Sequence, residues 1–233
     1  MNNPLLCGPL LMAYRCVALS IEGFVQQVAV SYVPFGYRFY VTGKIPAAKD
    51  PRTVDEKLIE KYGIDISPWV RTRRKQAGIA NMQYIRFEDF FVLLATEGQH
   101  RFFHEEKNLL RDLRKIPIKF AGYSISFRSG HAHVRIERET FKEVAACFLE
   151  FALRRPKPQL EAALYNLPFE PYAPIRSQFF LLLRKINTRR KAAGMPLLSE
   201  RCLPLRRRIY RPFDSPYPRT YKQAEPKQRK NRD

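Results

Sequence analysis

Two consecutive segments that alternate between apolar and polar residues constrain the fold of this chain more than any other feature. Residues 117–128 (PIKFAGYSISFR) and 131–137 (HAHVRIE) are separated only by Ser129 and Gly130, a dipeptide typical of two-residue hairpin turns. Because side chains alternate across a strand, the pairing dictated by this turn creates one apolar and one polar face. The apolar face carries Tyr123, Ile125, Phe127, Ala132, Val134 and Ile136. The polar face carries Ser124, Ser126, Arg128, His131, His133 and Arg135.

Strand and helix signals elsewhere in the chain predict an α+β fold. Aromatic and β-branched residues predict further strands at 36–43, 81–87 and 90–95. Helices are predicted to begin at Thr53, at Ser67 and at Thr140, each of which is a suitable N-terminal cap. We therefore expect a single antiparallel sheet of about five strands, with helices packed mainly on one face and a basic extended C-terminal tail.

Shifts in composition divide the chain into three regions. Residues 1–155 are expected to form the α+β core domain that carries the His-x-His hairpin. Residues 156–200 are expected to be a helical extension with a long basic amphipathic helix at about 175–193. Residues 201–233 hold eleven Lys or Arg against three Asp or Glu and few aliphatic residues. This composition predicts a basic tail that stays flexible until a partner orders it.

The charge balance indicates the kind of partner. The chain has 42 Lys and Arg against 22 Asp and Glu, a net charge of +20. Such an excess repels itself unless a polyanion is near, and DNA and RNA are the commonest cellular polyanions. The sequence therefore predicts a nucleic acid, DNA or RNA, as the partner, with a second protein in the same nucleoprotein complex as a further expectation. It contains no lipidation motif that would favour a membrane instead.

The cysteines bear on the cellular compartment. They are scattered along the chain, at Cys7, Cys16, Cys147 and Cys202. No CxxC pair is present, so the pattern is typical of neither a disulfide framework nor a zinc site. We expect a reducing compartment and hence a cytoplasmic protein.

The motif TRRKxAG occurs twice, at 72–78 and 188–194, and each copy lies at the end of a predicted helix. In one interpretation the cations only complement the helix macrodipole before a glycine cap. In the other they also contact phosphate. With the cations of the hairpin and the tail, they form the predicted nucleic-acid-binding set. Its members are Arg71, Arg73, Arg74, Lys75, Arg128, Arg135, Arg184, Lys185, Arg189, Arg190, Lys191, Arg206, Arg207 and Arg208.

The histidines of the hairpin give a more specific hypothesis. His131 and His133 lie two residues apart on a predicted strand, so both imidazoles project from one face, where such a pair can bind a divalent cation. The sequence His131-Ala132-His133 resembles the His-hydrophobe-His motif of HUH endonucleases, which include rolling-circle replication initiators, relaxases and single-strand DNA transposases. The resemblance implies Mg²⁺ or Mn²⁺ at the two histidines and a downstream tyrosine as nucleophile. The nearest downstream tyrosines are Tyr165 and Tyr172.

Two functions are consistent with these features. The first is an HUH-like, metal-dependent single-strand DNA nickase, transposase or replication initiator. The alternative is a non-catalytic RNA- or DNA-binding subunit of a ribonucleoprotein or mobile-element complex, whose exposed histidines contact phosphate. A third metal ligand is not assigned, although His100, His104, Glu105 and Glu106 have suitable side chains. Trp69 is expected to lie in the core or to anchor a helix.

Overall fold

The computed structural model describes residues 14–213, which form an α+β fold. The helices are α1 (Ile21–Gln26), α2 (Pro51–Lys61), α3 (Pro68–Gln76), α4 (Arg101–Glu105), α5 (Arg138–Arg154), α6 (Lys157–Tyr165) and α7 (Ala173–Ala192). The strands are β1 (Phe39–Lys44), β2 (Met82–Phe87), β3 (Phe90–Ala95), β4 (Arg111–Asp112), β5 (Ile118–Phe120), β6 (Tyr123–Arg128) and β7 (His131–Ile136). Helix α1 continues as a π-helical turn and a short 3-10 turn that end at Phe35.

The strands form two antiparallel sheets and not the single sheet expected from the sequence. The larger sheet has the order β2-β3-β1-β4, and the smaller has the order β5-β6-β7. The predicted strand at 117–128 breaks at Ala121 and Gly122, which both have positive φ (45° and 79°). The chain reverses there, so the segment forms two paired strands of the smaller sheet and does not extend the larger one.

The hairpin of β6 and β7 has the predicted turn and register. Ser129 and Gly130 have φ of 49° and 81°, as a two-residue turn between right-twisted strands requires. Arg128 lies opposite His131. Ser126 lies opposite His133. The two histidines and Arg128 therefore share the outer face of the smaller sheet.

The inner face of this hairpin packs against α7, which also contacts α5. The buried side of α7 consists of Ile175, Phe179, Leu182, Leu183 and Ile186. Gln178 lies among them and is 5% exposed. The Ile136 N–H donates to Gln178 Oε1 (2.9 Å), and Gln178 Nε2 donates to the Ile136 carbonyl (3.1 Å). Since β7 is an edge strand, this amide takes the place of a neighbouring strand.

The two TRRKxAG segments form the same local structure. Gly78 and Gly194 end α3 and α7 with φ of 69° and 67°, as left-handed helix caps. The second cation of each motif, Arg74 or Arg190, reaches a carbonyl at the end of an earlier helix. Arg74 Nη1 donates to Gly63 O, just after α2 (3.3 Å).

Arg190 is the most buried charged side chain among residues 14–213, at 1% exposure. Its Nη1 donates to the carbonyls of Ala152 (2.7 Å) and Arg155 (3.2 Å) at the end of α5. Its Nε donates to the carbonyl of Pro196 (2.7 Å). The guanidinium therefore joins α5, α7 and the segment after α7, and it is not available to a nucleic acid as the sequence had suggested.

Helix α2 begins earlier than the sequence predicted. Asp50 is the N-cap and accepts the Thr53 N–H (3.0 Å), while Pro51 occupies the first helical position. The predicted helix start at Thr53 is therefore wrong. An Asp-Pro pair caps a helix start at least as well as Thr, and it comes first in the chain.

The segment 201–213 belongs to the region predicted to be a flexible tail, and it contacts the start of the fold. The side-chain amide of Gln26 bonds both backbone groups of Tyr210. The Leu19 N–H donates to the carbonyl of Pro212 (2.9 Å). These bonds attach the segment to α1. Residues 214–233 of the predicted tail lie outside the described part of the chain.

Replacing Arg190 should destabilise the fold far more than removing a neighbouring charge. In Arg190→Met three carbonyls lose their donor, so the free energy of unfolding should fall by about 2–4 kcal/mol. Lys191→Met removes the same charge from an exposed position and should change it by less than about 0.5 kcal/mol. Urea unfolding followed by circular dichroism measures both. Equal effects would show that Arg190 stabilises only through its charge.

Candidate nucleic-acid interface

The outer face of the smaller sheet carries a concentration of basic side chains. On β7, His131 and Arg135 are exposed and His133 is half-buried, because the alternation of the strand turns Val134 and Ile136 inward. Arg128 is exposed at the end of β6. Small serines occupy the middle of this face, at Ser124 and Ser126. The longer basic side chains therefore surround a central region of small serines.

Two of these cations have no neutralising partner. Within residues 14–213, neither Arg128 nor Arg135 makes an ion pair or a side-chain hydrogen bond. Lys119, on the neighbouring β5, differs from them because it pairs with Glu137 (2.5 Å). The hairpin thus presents two free guanidiniums to solvent. Unpaired guanidiniums are the side chains that most readily bind phosphate, since each offers a planar set of donors.

His133 lies within the electrostatic influence of both arginines. Burial lowers its pKa from the ordinary histidine value, and Arg128 and Arg135 lower it further. Its Nδ1 is buried and has no hydrogen-bond partner in the described part of the chain. The imidazole is therefore held neutral between two positive charges. A phosphate at this position would relieve their repulsion and favour the protonated ring.

The two histidines of the hairpin have no third metal ligand beside them within residues 14–213. In the range 14–213, no group of three or more His, Cys, Asp or Glu side chains is placed to hold a metal ion. Of the candidate third ligands, Glu105 pairs with Lys61 (2.9 Å). Glu106 accepts the Tyr62 hydroxyl (2.7 Å). Two imidazoles are an incomplete donor set for Mg²⁺ or Mn²⁺, which favour several oxygen ligands.

The predicted nucleophiles lie away from the histidines. Tyr165 is 58% exposed at the end of α6. Tyr172 precedes α7, its ring lies 5.0 Å from the Arg207 guanidinium, and burial raises its pKa although Arg207 opposes the shift. The segment before Tyr172 is bound at Tyr123, whose hydroxyl accepts the Glu170 N–H (2.9 Å). Tyr123 starts β6 and Arg128 ends it, about 17 Å further along the strand. Tyr172 therefore lies near the Tyr123 end of the hairpin, whereas His131 lies at its Arg128 end, and within residues 14–213 no hydrogen bond or ring contact joins Tyr165 or Tyr172 to either histidine.

The predicted helix cations divide into structural and exposed groups. Besides Arg190, Arg71 donates to the carbonyls of Ile64 (2.6 Å) and Met82 (2.8 Å), and Arg189 donates to Leu149 O (2.7 Å). Arg74, on α3, is half-buried against the end of α2. The exposed helix side chains are Arg73, Lys75, Arg184, Lys185 and Lys191, and Arg206, Arg207 and Arg208 are exposed after the last helix. The exposed group remains available for binding.

Trp69 lies on the surface and not in the core, which was one of the two positions that the sequence predicted for it. It is 65% exposed on α3, and no residue of α3 is buried. The Arg73 guanidinium lies 4.6 Å from the centre of its ring. The signal was present in the sequence, because α3 (PWVRTRRKQ) lacks the apolar stripe that a buried tryptophan would need around it.

No protein-family model matches the chain, and a search of curated proteins finds no significant match. Across residues 14–213, no helix is both long and apolar enough to cross a membrane. The geometry and charge of the outer sheet face are therefore the basis of the functional proposal.

The titration of His133 should report the two arginines. Arg135→Gln removes one of the repelling charges, so the pKa of His133 should rise, as followed by its ring-proton shift in NMR. Lys119→Gln removes a charge that Glu137 already neutralises and should move this pKa less. The pKa of His133 is lower in the folded protein than in the unfolded chain. The stability linked to this difference is therefore present above the unfolded-state pKa and is lost as the pH falls through the folded-state pKa. A larger response to Lys119→Gln would contradict this arrangement.

Proposed function

We propose that this protein binds nucleic acid through the outer face of the smaller sheet. The observation that carries the proposal is the pair of exposed guanidiniums, Arg128 and Arg135, which have no acidic partner within residues 14–213 and flank His133. In a chain with a net charge of +20, unneutralised arginines on an exposed face form a surface that a polyanion can contact.

The layout of these charges favours an extended polyanion over a small anion. Arg128 lies opposite His131, and Arg135 is four residues further along β7. Measured along the strands, the backbone of Arg128 is therefore about 13 Å from that of Arg135. A nucleic acid can place successive phosphates along this line, whereas one small anion would be shared between two long side chains.

The HUH resemblance supports a second proposal for the same face. His131 and His133 project from one side of β7, as the motif requires, beside the cations that would hold a phosphodiester. In this version the protein is a nickase, transposase or replication initiator with Mg²⁺ or Mn²⁺ and Tyr172 or Tyr165 as nucleophile. The alternative is a binding subunit of a nucleoprotein complex in the cytoplasm, which the incomplete donor set and the distant tyrosines favour.

Removing the two free arginines should weaken nucleic-acid binding specifically. We expect the double variant Arg128→Ala with Arg135→Ala to lower affinity for a labelled oligonucleotide roughly 10- to 100-fold. Loss of two phosphate contacts should also reduce the slope of log K against log salt by about 1.4 for a single strand. Fluorescence anisotropy over a salt series measures both quantities.

A charge-matched control makes this test specific to the face. Lys142→Ala with Arg154→Ala also removes two positive charges, but each is paired with a glutamate on α5. It should leave affinity within about twofold. Equal weakening by both double variants would show that net charge alone drives binding, and absence of salt-sensitive binding by the unaltered protein would refute the proposed function.

The nickase version makes a separate prediction. With Mn²⁺ and a labelled single-stranded DNA, it requires a covalent protein–DNA adduct on a denaturing gel. The adduct should disappear in Tyr172→Phe or Tyr165→Phe and in His131→Ala with His133→Ala. Binding that persists in EDTA and in the histidine double variant, with no adduct, would support the non-catalytic version.

A further inference from the structure

Trp69 is a large aromatic side chain exposed on a helix that contributes nothing to the core. It is the single tryptophan of the chain and is 65% exposed. Pro68 at the first helical position and the Ser67 cap hold the start of α3 in place. An exposed tryptophan offers a large apolar surface, and tryptophan is among the side chains enriched at the centre of binding surfaces.

One face of the Trp69 ring is already occupied by a cation. The Arg73 guanidinium, one helical turn further on, lies 4.6 Å from the ring centre. In the part of the chain that the structure describes, no aromatic ring stacks on this indole. The Trp69–Arg73 pair thus offers a flat π-surface beside a positive charge, which is the combination that holds bases of single-stranded nucleic acids.

Helix α3, which carries Trp69, is positively charged. It has four cations and no Asp or Glu, and the nearest acids along the chain are the exposed Asp65 and Glu88. Two of those cations are engaged in structural hydrogen bonds, and the other two, Arg73 and Lys75, are exposed. This surface is therefore complementary to a polyanion and unsuited to a basic partner.

A short series of contacts connects α3 with the hairpin. Arg71 on α3 donates to the Tyr37 hydroxyl (3.2 Å). Arg38, the residue after Tyr37, lies over the ring of Phe127, 4.2 Å from the ring centre. Phe127 directly precedes Arg128 on β6. These contacts link α3 to β6 through the residues that lead into β1.

We propose that Trp69 and Arg73 form a stacking platform for an unpaired base of a single-stranded nucleic acid whose backbone also contacts Arg128 and Arg135. The proposal rests on the proposed function and specifies its substrate class. In a duplex both faces of each base are covered by neighbouring bases, so an exposed indole stacks only on an unpaired base.

The lone tryptophan makes the test direct, because all tryptophan fluorescence comes from this position. We expect a single-stranded oligonucleotide to quench the emission saturably, at the concentrations where anisotropy reports binding. A duplex of the same sequence should quench weakly. Trp69→Ala should lower single-strand affinity roughly 5- to 150-fold, with a smaller loss in Trp69→Phe, which keeps a ring for stacking.

Controls separate stacking from the loss of an exposed apolar group. Leu109→Ala removes an aliphatic side chain that is 59% exposed and should leave affinity unchanged. Circular dichroism should show the same thermal unfolding for Trp69→Ala and the unaltered protein, because α3 has no buried residue.

The outcomes distinguish this inference from the proposed function. Salt-sensitive binding that Arg128→Ala with Arg135→Ala weakens, but with unchanged fluorescence and full affinity in Trp69→Ala, would overturn the stacking platform and leave the function standing. Equal quenching by the duplex would overturn the single-strand assignment. Quenching by vesicles of phosphatidylcholine and phosphatidylserine, but not by oligonucleotide, would assign Trp69 to a membrane surface and overturn the inference. No binding of any oligonucleotide would overturn both.

Discussion

The bond between the Gln178 side chain and the backbone of Ile136 is the constraint on which the candidate interface depends. An edge strand must satisfy its outward N–H and C=O groups, and at Ile136 β7 does so with an amide supplied by α7. Helix α7 packs on the inner side of the smaller sheet. On the outer face, Arg128, His131 and Arg135 are exposed.

The same need of backbone groups for hydrogen-bond partners explains why several arginines are not available for binding. Helix ends leave carbonyls without partners, and Arg74 and Arg190 supply donors to them from a neighbouring helix. The positive charge of the chain thus has two uses. Part of it stabilises the fold from within, and the part that remains exposed is found on the hairpin, on α3, on α7 and in residues 206–208.

Much of the fold was predictable because its signals are local. The Ser129 and Gly130 turn, the alternation of the hairpin and the two glycine helix caps each depend on neighbouring residues, and each appears in the structure as predicted. The number of sheets was not predictable in this way. It depends on the reversal at Ala121 and on which strands pair over long distances, and the alternation pattern does not encode the partner of a strand.

For the candidate site, the sequence by itself determined the α+β class, the excess of positive charge and the sharing of one strand face by His131 and His133. Only the tertiary structure decided which cations are free. Arg190 and Arg73 occur in similar motifs, yet one is 1% exposed and the other stacks on an exposed tryptophan. The physical reason is that burial and pairing are set by the elements packed around a side chain, and those elements come from distant parts of the chain.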